Sequence, residues 1–351
     1  MTTHTLPPSR RIRVLIVDDS LFMRAAIAKT LSGPQFEIVG QAKNGDDALA
    51  QVEKLLPDVI TMDFNMPGMN GAETVRALMQ LRPTAVVMFS AHTKQGAKQT
   101  FDALAAGAVE FVTKPAGEVS VDLSKIAKEL TDKVIAAAAA RPRATTLPQL
   151  RPRVGPPRSL TTTLPGGLPR LCVIAVSTGG PAALGEIIPA LPGDLRIAIV
   201  VVQHMPAGFT AALAERLDGA SEVSVFEAAD GMRPTAGTVL IAPGDRHVEF
   251  DDRGGVVLGD GPLVNGCRPA ADVTMQAAAR VYGRRSLAVV MTGMGKDGAA
   301  GALAIKRAEG KTLAQDKETS VIYGMPKAAI DAGAIDEVAA LSDIAAWLRY
   351  V

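Results

Sequence analysis

Between Asp132 and Glu186 the chain carries no acidic residue, and proline and arginine crowd the same stretch. Arg141-Pro142-Arg143, Arg151-Pro152-Arg153, Gly155-Pro156-Pro157-Arg158 and Pro165-Gly166-Gly167 follow one another closely. Proline at this density suits neither a helix interior nor a central strand. The segment therefore reads as a semi-rigid, exposed Pro/Arg-rich linker over 131–168, joining a unit at 11–130 to a unit at 169–351. Its arginines can meet an acidic partner, but on composition alone they are solvated linker charge. A length of 351 residues suits about two domains. With 48% hydrophobic and 21% charged residues, both halves have the means to bury a core. A net charge of +1 offers no general attraction to nucleic acid or an acidic membrane.

Both halves alternate short apolar runs with helical patterns. In the first, runs at 14–17, 37–41, 59–62, 85–89 and 109–112 predict five strands of a parallel sheet covered on both faces, a flavodoxin-like domain. In the second, runs at 171–176, 196–202, 238–242 and 286–291, with helical patterns at 272–281 and 298–309, predict another doubly wound, mainly parallel α/β domain. A meander at 248–257 turns at Asp251-Asp252-Arg253-Gly254-Gly255. No run is long enough to cross a membrane, and the short one after Arg10-Arg11 stops at Asp18-Asp19. Cys172 and Cys267 form neither a metal-ligand spacing nor a disulfide framework, and read as reduced, buried thiols of a cytoplasmic protein.

In a parallel sheet ligands bind beyond the carboxyl ends of the strands. The first half places Asp18-Asp19 and Asp63 there, three carboxylates whose repulsion calls for a hard cation such as Mg²⁺. Ser90 and Lys114-Pro115 end the next two strands and offer a hydroxyl and an ammonium to a tetrahedral anion. Val17-Asp18-Asp19-Ser20, Asp63 through Gly71, Ser90 and Phe111-Val112-Thr113-Lys114-Pro115 resemble the receiver domain of response regulators. The resemblance implies that Asp63 accepts a phosphoryl group from a cognate histidine kinase. It implies Mg²⁺ held by Asp18, Asp19, Asp63 and the main-chain carbonyl of Asn65. Ser90 and Lys114 would contact the phosphoryl group, and Phe111 would sit at the aromatic switch position.

In the second half Ser177 ends one strand run and opens Ser177-Thr178-Gly179-Gly180. A serine there can be a nucleophile, or its loop can cradle an anion at a helix N-terminus. His204 ends the most continuous apolar run of this half. Asp297 follows the run at 286–291 and begins a helix, where an aspartate alone is more often an N-cap. Asp230, Asp245 and Asp260 compete as the acidic partner. Two readings stand: a Ser-His-Asp hydrolase, or a phosphate- or nucleotide-binding module. The second lacks G-x-G-x-x-G and a P-loop lysine, and the first lacks the G-x-S-x-G elbow, with Ala175 in the first glycine's place.

Ala175 through Pro181, Gln203-His204-Met205-Pro206, Ala242-Pro243-Gly244, Thr292 through Ala299 and Ala314 through Pro326 together resemble the catalytic domain of the CheB family of chemotaxis methylesterases. That resemblance implies Ser177 as nucleophile, His204 as general base and then acid, and Asp297 as the orienting carboxylate. Thr178 and Met294 would neighbour them, with main-chain N–H groups of their loops as oxyanion donors; Met294 can equally be packing. It further implies hydrolysis of glutamate γ-methyl esters on chemoreceptor helices, with deamidation of receptor glutamines in some members. No cofactor is implied for the esterase, and the unphosphorylated receiver is expected to withhold the active site. A response regulator whose second domain only binds a ligand or partner is the alternative. A DNA-binding output is weaker, since no helix-turn-helix or basic helix follows the receiver.

Overall fold

The computed structural model describes residues 10–114, 126–140 and 168–351. His4, Pro115 and the arginine–proline motifs between 141 and 167 lie outside these residues. The chain divides into two compact units, Met1–Thr146 and Leu147–Val351. No helix among the described residues is long and apolar enough to cross a membrane.

The first unit is one parallel sheet of β1 (Ile12–Val17), β2 (Phe36–Ala42), β3 (Val59–Asp63), β4 (Ala85–Ser90) and β5 (Glu110–Thr113), in the order β2-β1-β3-β4-β5. All five expected strands are present within a few residues of their runs. The order reverses at β1 and β3, so their carboxyl ends flank an open crevice. Helices α1 (Leu21–Thr30), α2 (Gly45–Leu55), α3 (Gly71–Leu81) and α4 (Lys94–Ala105) each begin with a side-chain cap, from Ser20, Asn44, Asn70 and Thr93. At α3 the cap is a full capping box with Glu73. Helix α5 (Ala127–Ala139) runs past the expected boundary at 130 and packs on β4 and β5. The alanine run there, read from sequence as the start of the linker, instead continues the helix: alanine is the strongest helix former, and Val134, Ala136 and Ala137 are buried.

The second unit has a seven-stranded sheet in the order β14-β13-β12-β6-β7-β9-β8, every pair parallel. These strands are β6 (Arg170–Val176), β7 (Ile197–Gln203), β8 (Ser224–Glu227), β9 (Thr238–Ile241), β12 (Ser286–Val290), β13 (Lys311–Gln315) and β14 (Glu337–Ala339). The four expected strands are its centre; β8, β13 and β14 were not foreseen. The chain enters at β6, builds outward through β7, and then returns to the other side at β12. The switch point therefore lies around β6, with the ends of β7 and β12 on either side. Strands β6 and β7 are buried almost throughout, as a central parallel sheet requires. The meander is a hairpin of β10 (His247–Phe250) and β11 (Val256–Gly259). It packs on α8 (Ala271–Tyr282), where the rings of Phe250 and Tyr282 meet edge to face at 5.4 Å.

Helices α6 (Gly180–Ile187), α7 (Phe209–Ala220) and α9 (Ala299–Arg307) are capped by Gly179, Gly208 and Gly298, at φ 78°, 84° and 89°. Glycine accepts this left-handed turn without strain and places no side chain over the helix N-terminus. Helices α10 (Gly324–Asp331) and α11 (Leu341–Tyr350) complete the unit.

Ile199 sits in β7 between Cys172 of β6 and Val239 of β9 and is fully buried. Ile199→Ala removes its packing on both neighbours and should cost about 2–5 kcal/mol. Denaturant unfolding of the full chain, read on the transition of the second unit, measures this.

Candidate active site

The central strands of the second sheet each deliver one polar group to the same edge. Ser177 follows β6, and its N–H donates to the carbonyl of Thr292 just beyond β12 (3.0 Å). His204 follows β7, and its N–H donates to the carbonyl of Val176 (3.2 Å). The imidazole of His204 donates through Nε2 to Oδ2 of Asp297 at 2.8 Å, a pair with 13% and 2% side-chain exposure.

Asp297 does not cap its own helix. Gly298 is the N-cap of α9, and the carboxylate of Asp297 reaches across to α8. There its two oxygens accept the N–H groups of Ala271 (2.6 Å) and Asp272 (3.1 Å). Ala270, the N-cap of α8, supplies no side-chain bond, so Asp297 fills that role. Burial pushes the Asp297 carboxyl pKa up, but the bonds from His204 and the α8 N–H groups outweigh it and hold it below the usual carboxylate range. For His204 burial favours the neutral ring; the bond to Asp297 and then the contact with Cys267 reverse this and raise its pKa to about 9.

Three side chains at this edge gave no signal that was followed in the sequence. Cys267 is partly exposed, and its Sγ lies 3.7 Å from Nδ1 of His204. The expectation of two buried thiols therefore holds for Cys172 and fails for Cys267, which sits in a turn beside the histidine rather than in a strand. Asn265 donates through Nδ2 to both Asp297 Oδ1 (3.0 Å) and Asp272 Oδ2 (2.8 Å). Asp272 in turn accepts the N–H of Gly301 in α9 (2.7 Å). Each carboxylate thus serves the other's helix, and one amide lies between them. The Asn265-Gly266-Cys267 turn was the available clue, an Asn-Gly pair beside a cysteine.

The competing aspartates are engaged elsewhere. Asp245 pairs with Arg268 at 2.7 Å, Asp260 with Arg246 at 2.6 Å, and Asp230 accepts the N–H of Leu258. His247 accepts the N–H of Ala270 at Nδ1 and bonds the Pro262 carbonyl through Nε2. Thr178 is buried, and its carbonyl accepts the hydroxyl of Thr292 (2.9 Å). Met294 is 44% exposed, which removes the reading of it as plain core packing.

In the first unit Asp18, Asp19 and Asp63 offer oxygens that all lie within 4.8 Å of one another. Lys114 Nζ reaches Asp63 Oδ1 at 2.9 Å and Asp18 Oδ2 at 3.5 Å. Among the described residues Asp18 Oδ2 is buried and makes no hydrogen bond, only that longer ion pair. Burial raises the Asp18 pKa; Lys114 opposes this, while Asp63 and Asp19 add to it. Among the described residues, three crowded carboxylates, one buried oxygen without a hydrogen bond and a single ammonium suit a hard divalent cation. Ser90 is buried, donating to the Gly96 carbonyl (3.0 Å) and accepting from Thr100 (2.6 Å), a partner not foreseen. The main-chain N–H of Lys114 donates to the Ser90 carbonyl. Phe111 is buried, with the ammonium of Lys133 5.0 Å from its ring centre. Asn65 is exposed in the loop after β3, where its side-chain oxygen accepts from Gln99.

Residues 172–348 match the CheB methylesterase family and residues 14–123 the response regulator receiver domain. A Symbiobacterium thermophilum protein named protein-glutamate methylesterase/protein-glutamine glutaminase is 46% identical over 346 residues, 96% of each chain. A Thermotoga maritima protein of the same name is 45% identical, across 94% of this chain and 95% of its own. The crystal structure of the Thermotoga maritima CheB methylesterase catalytic domain matches with 46% identity and a TM-score of 0.50, covering 52% of this chain and 97% of that domain. With strand-end serine, histidine and aspartate on one sheet and clustered carboxylates on the other, the chain belongs to the CheB methylesterase family, carrying a response regulator receiver domain ahead of the methylesterase domain.

Proposed function

We propose that this protein hydrolyses glutamate γ-methyl esters on chemoreceptor helices in the cytoplasm, and that phosphorylation of Asp63 by a cognate histidine kinase switches the activity on. The observation that carries the reading is the buried His204–Asp297 pair at 2.8 Å, at the end of the strand paired with the one that Ser177 follows. Curated names of relatives that match nearly the whole chain support the same substrate.

Because Asp297 occupies Nε2, the proton acceptor is Nδ1. As Ser177 Oγ attacks the ester carbonyl, Nδ1 takes its proton, and main-chain N–H groups of the Thr178 and Met294 loops receive the oxyanion. The C–O bond to the methoxy group breaks, and His204 returns the proton so that methanol leaves. Water then attacks the acyl-enzyme, again losing a proton to His204, and the glutamate carboxylate departs as Ser177 regains its hydrogen. A glutamine substrate follows the same path with ammonia as the leaving group. The esterase needs no cofactor in this scheme.

In the receiver domain Asp18, Asp19, Asp63 and the Asn65 carbonyl would hold Mg²⁺, which neutralises charge on the incoming phosphoryl group. Lys114 and Ser90 take the phosphoryl oxygens, and Phe111 follows the change in that pocket. Phosphorylation replaces the Lys114–Asp63 ion pair with a more highly charged group, which drives the switch.

Methanol release from methylated receptor, with and without a small phosphodonor and Mg²⁺, tests substrate and switch together. The wild-type rate should rise with the phosphodonor, Asp63→Asn should not respond, and Ser177→Ala should stay folded yet lose activity by at least about 10³-fold. Full activity in Ser177→Ala would exclude the serine mechanism; folded wild-type protein that releases no methanol in either condition would favour the non-catalytic binding module.

The base must be neutral to accept a proton. With its pKa raised to about 9, kcat/KM should climb with pH and level off near that value. Cys267 contributes to the increase, so Cys267→Ala should move this limb to lower pH. A wild-type limb near the ordinary histidine value would contradict the assignment; an unmoved limb in Cys267→Ala would remove Cys267 from it.

A further inference from the structure

Gln203 is the last residue of β7, only 2% exposed, and no step above uses it. The main-chain ladder between β6 and β7 ends where Val176 faces Gln203, with one further bond from His204 N–H to the Val176 carbonyl. Beyond that point Ser177 and His204 leave the sheet on separate turns. The side chain of Gln203 spans the two turns: Nε2 donates to the Ser177 carbonyl (3.1 Å) and to the His204 carbonyl (3.1 Å). The Ser177 carbonyl also accepts the N–H of Gly180 (2.8 Å), so the amide is not needed merely to satisfy it.

The other end of the amide is anomalous. Oε1 is buried and makes no hydrogen bond among the described residues. It presses against Gly180, where a Cβ would come within 1.9 Å of it. A buried carbonyl left unpaired lowers stability, while the two bonds donated by Nε2 act in the opposite sense. Both donated bonds run to the turns that carry Ser177 and His204, which points to a role in their geometry.

We infer that Gln203 is a positioning residue of the esterase: its amide ties the Ser177 turn to the His204 turn and sets the approach of Oγ to Nδ1. The inference rests on reading Ser177 and His204 as nucleophile and base. A shift of about 1 Å between such groups can cost on the order of 10²-fold in rate.

The test uses full-length protein activated by a phosphodonor and Mg²⁺, with methanol release from methylated receptor and thermal unfolding measured on the same samples. Gln203→Met keeps the length and removes the donor. It should stay folded, lose about 10- to 100-fold in kcat, and keep KM within about twofold. Gly180→Ala, whose Cβ would push the amide aside and also meet Val176 Cγ2 at 2.8 Å, should show the same loss confined to kcat, and carries the test alone if Gln203→Met does not fold. Wild-type kcat in either folded variant, or a loss carried by KM with kcat unchanged, overturns the inference. Ser177→Ala in parallel separates the two levels: activity there defeats the triad itself, whereas a dead Ser177→Ala beside a fully active Gln203→Met defeats only the positioning role.

Discussion

The carboxylate of Asp297 is the fixed point of the second unit's functional edge. It accepts four hydrogen bonds, from His204, from Asn265 and from the main-chain N–H groups of Ala271 and Asp272. Two of these belong to the first turn of α8, whose own N-cap residue is an alanine. A carboxylate seated on a helix N-terminus gains up to about 2 kcal/mol in a partly buried setting and stays ionised. That fixed charge commits Nε2 and leaves Nδ1 facing Cys267 Sγ at 3.7 Å, the nitrogen to which the proposed mechanism gives the proton. Asp272 repays the contact at Gly301 of α9, so two helices and the histidine are held by one network.

The two units handle clustered acid groups in opposite ways. In the second, Asp297 and Asp272 share Asn265 and draw on main-chain donors, so the network is satisfied from within the protein. In the first, among the described residues, Asp18, Asp19 and Asp63 have one ammonium between them, and a buried oxygen of Asp18 goes without a hydrogen bond. The second arrangement is balanced without an added ion; the first is left short of positive charge and suits a cation. Both follow from the same rule, that parallel sheets gather polar groups at the carboxyl ends of strands around a switch point.

Much of this was legible because central parallel strands are buried on both faces and end abruptly in polar residues. Asp18, Asp63, Ser177 and His204 each stand where an apolar run stops. The edge strands β8 and β14 were missed because four and three residues, partly exposed, leave little pattern. Helix α5 was cut short because its alanines border a proline-rich segment. Asp297 was legible as a strand-end acid but not as the cap of α8, since that bond joins residues 26 apart through tertiary packing. Cys267, Asn265 and Gln203 were hidden for the same reason: each acts on a partner brought near only by the fold.

The tautomer of His204 is the most direct test of how this edge is built. ¹⁵N NMR of the imidazole in the full-length protein, followed across pH, reports which nitrogen carries the proton. Nε2 should remain protonated and hydrogen-bonded throughout, while Nδ1 titrates near pH 9. A neutral ring protonated at Nδ1, or an Nε2 that loses its proton first, would contradict the assignment of Asp297 as the group that orients the base.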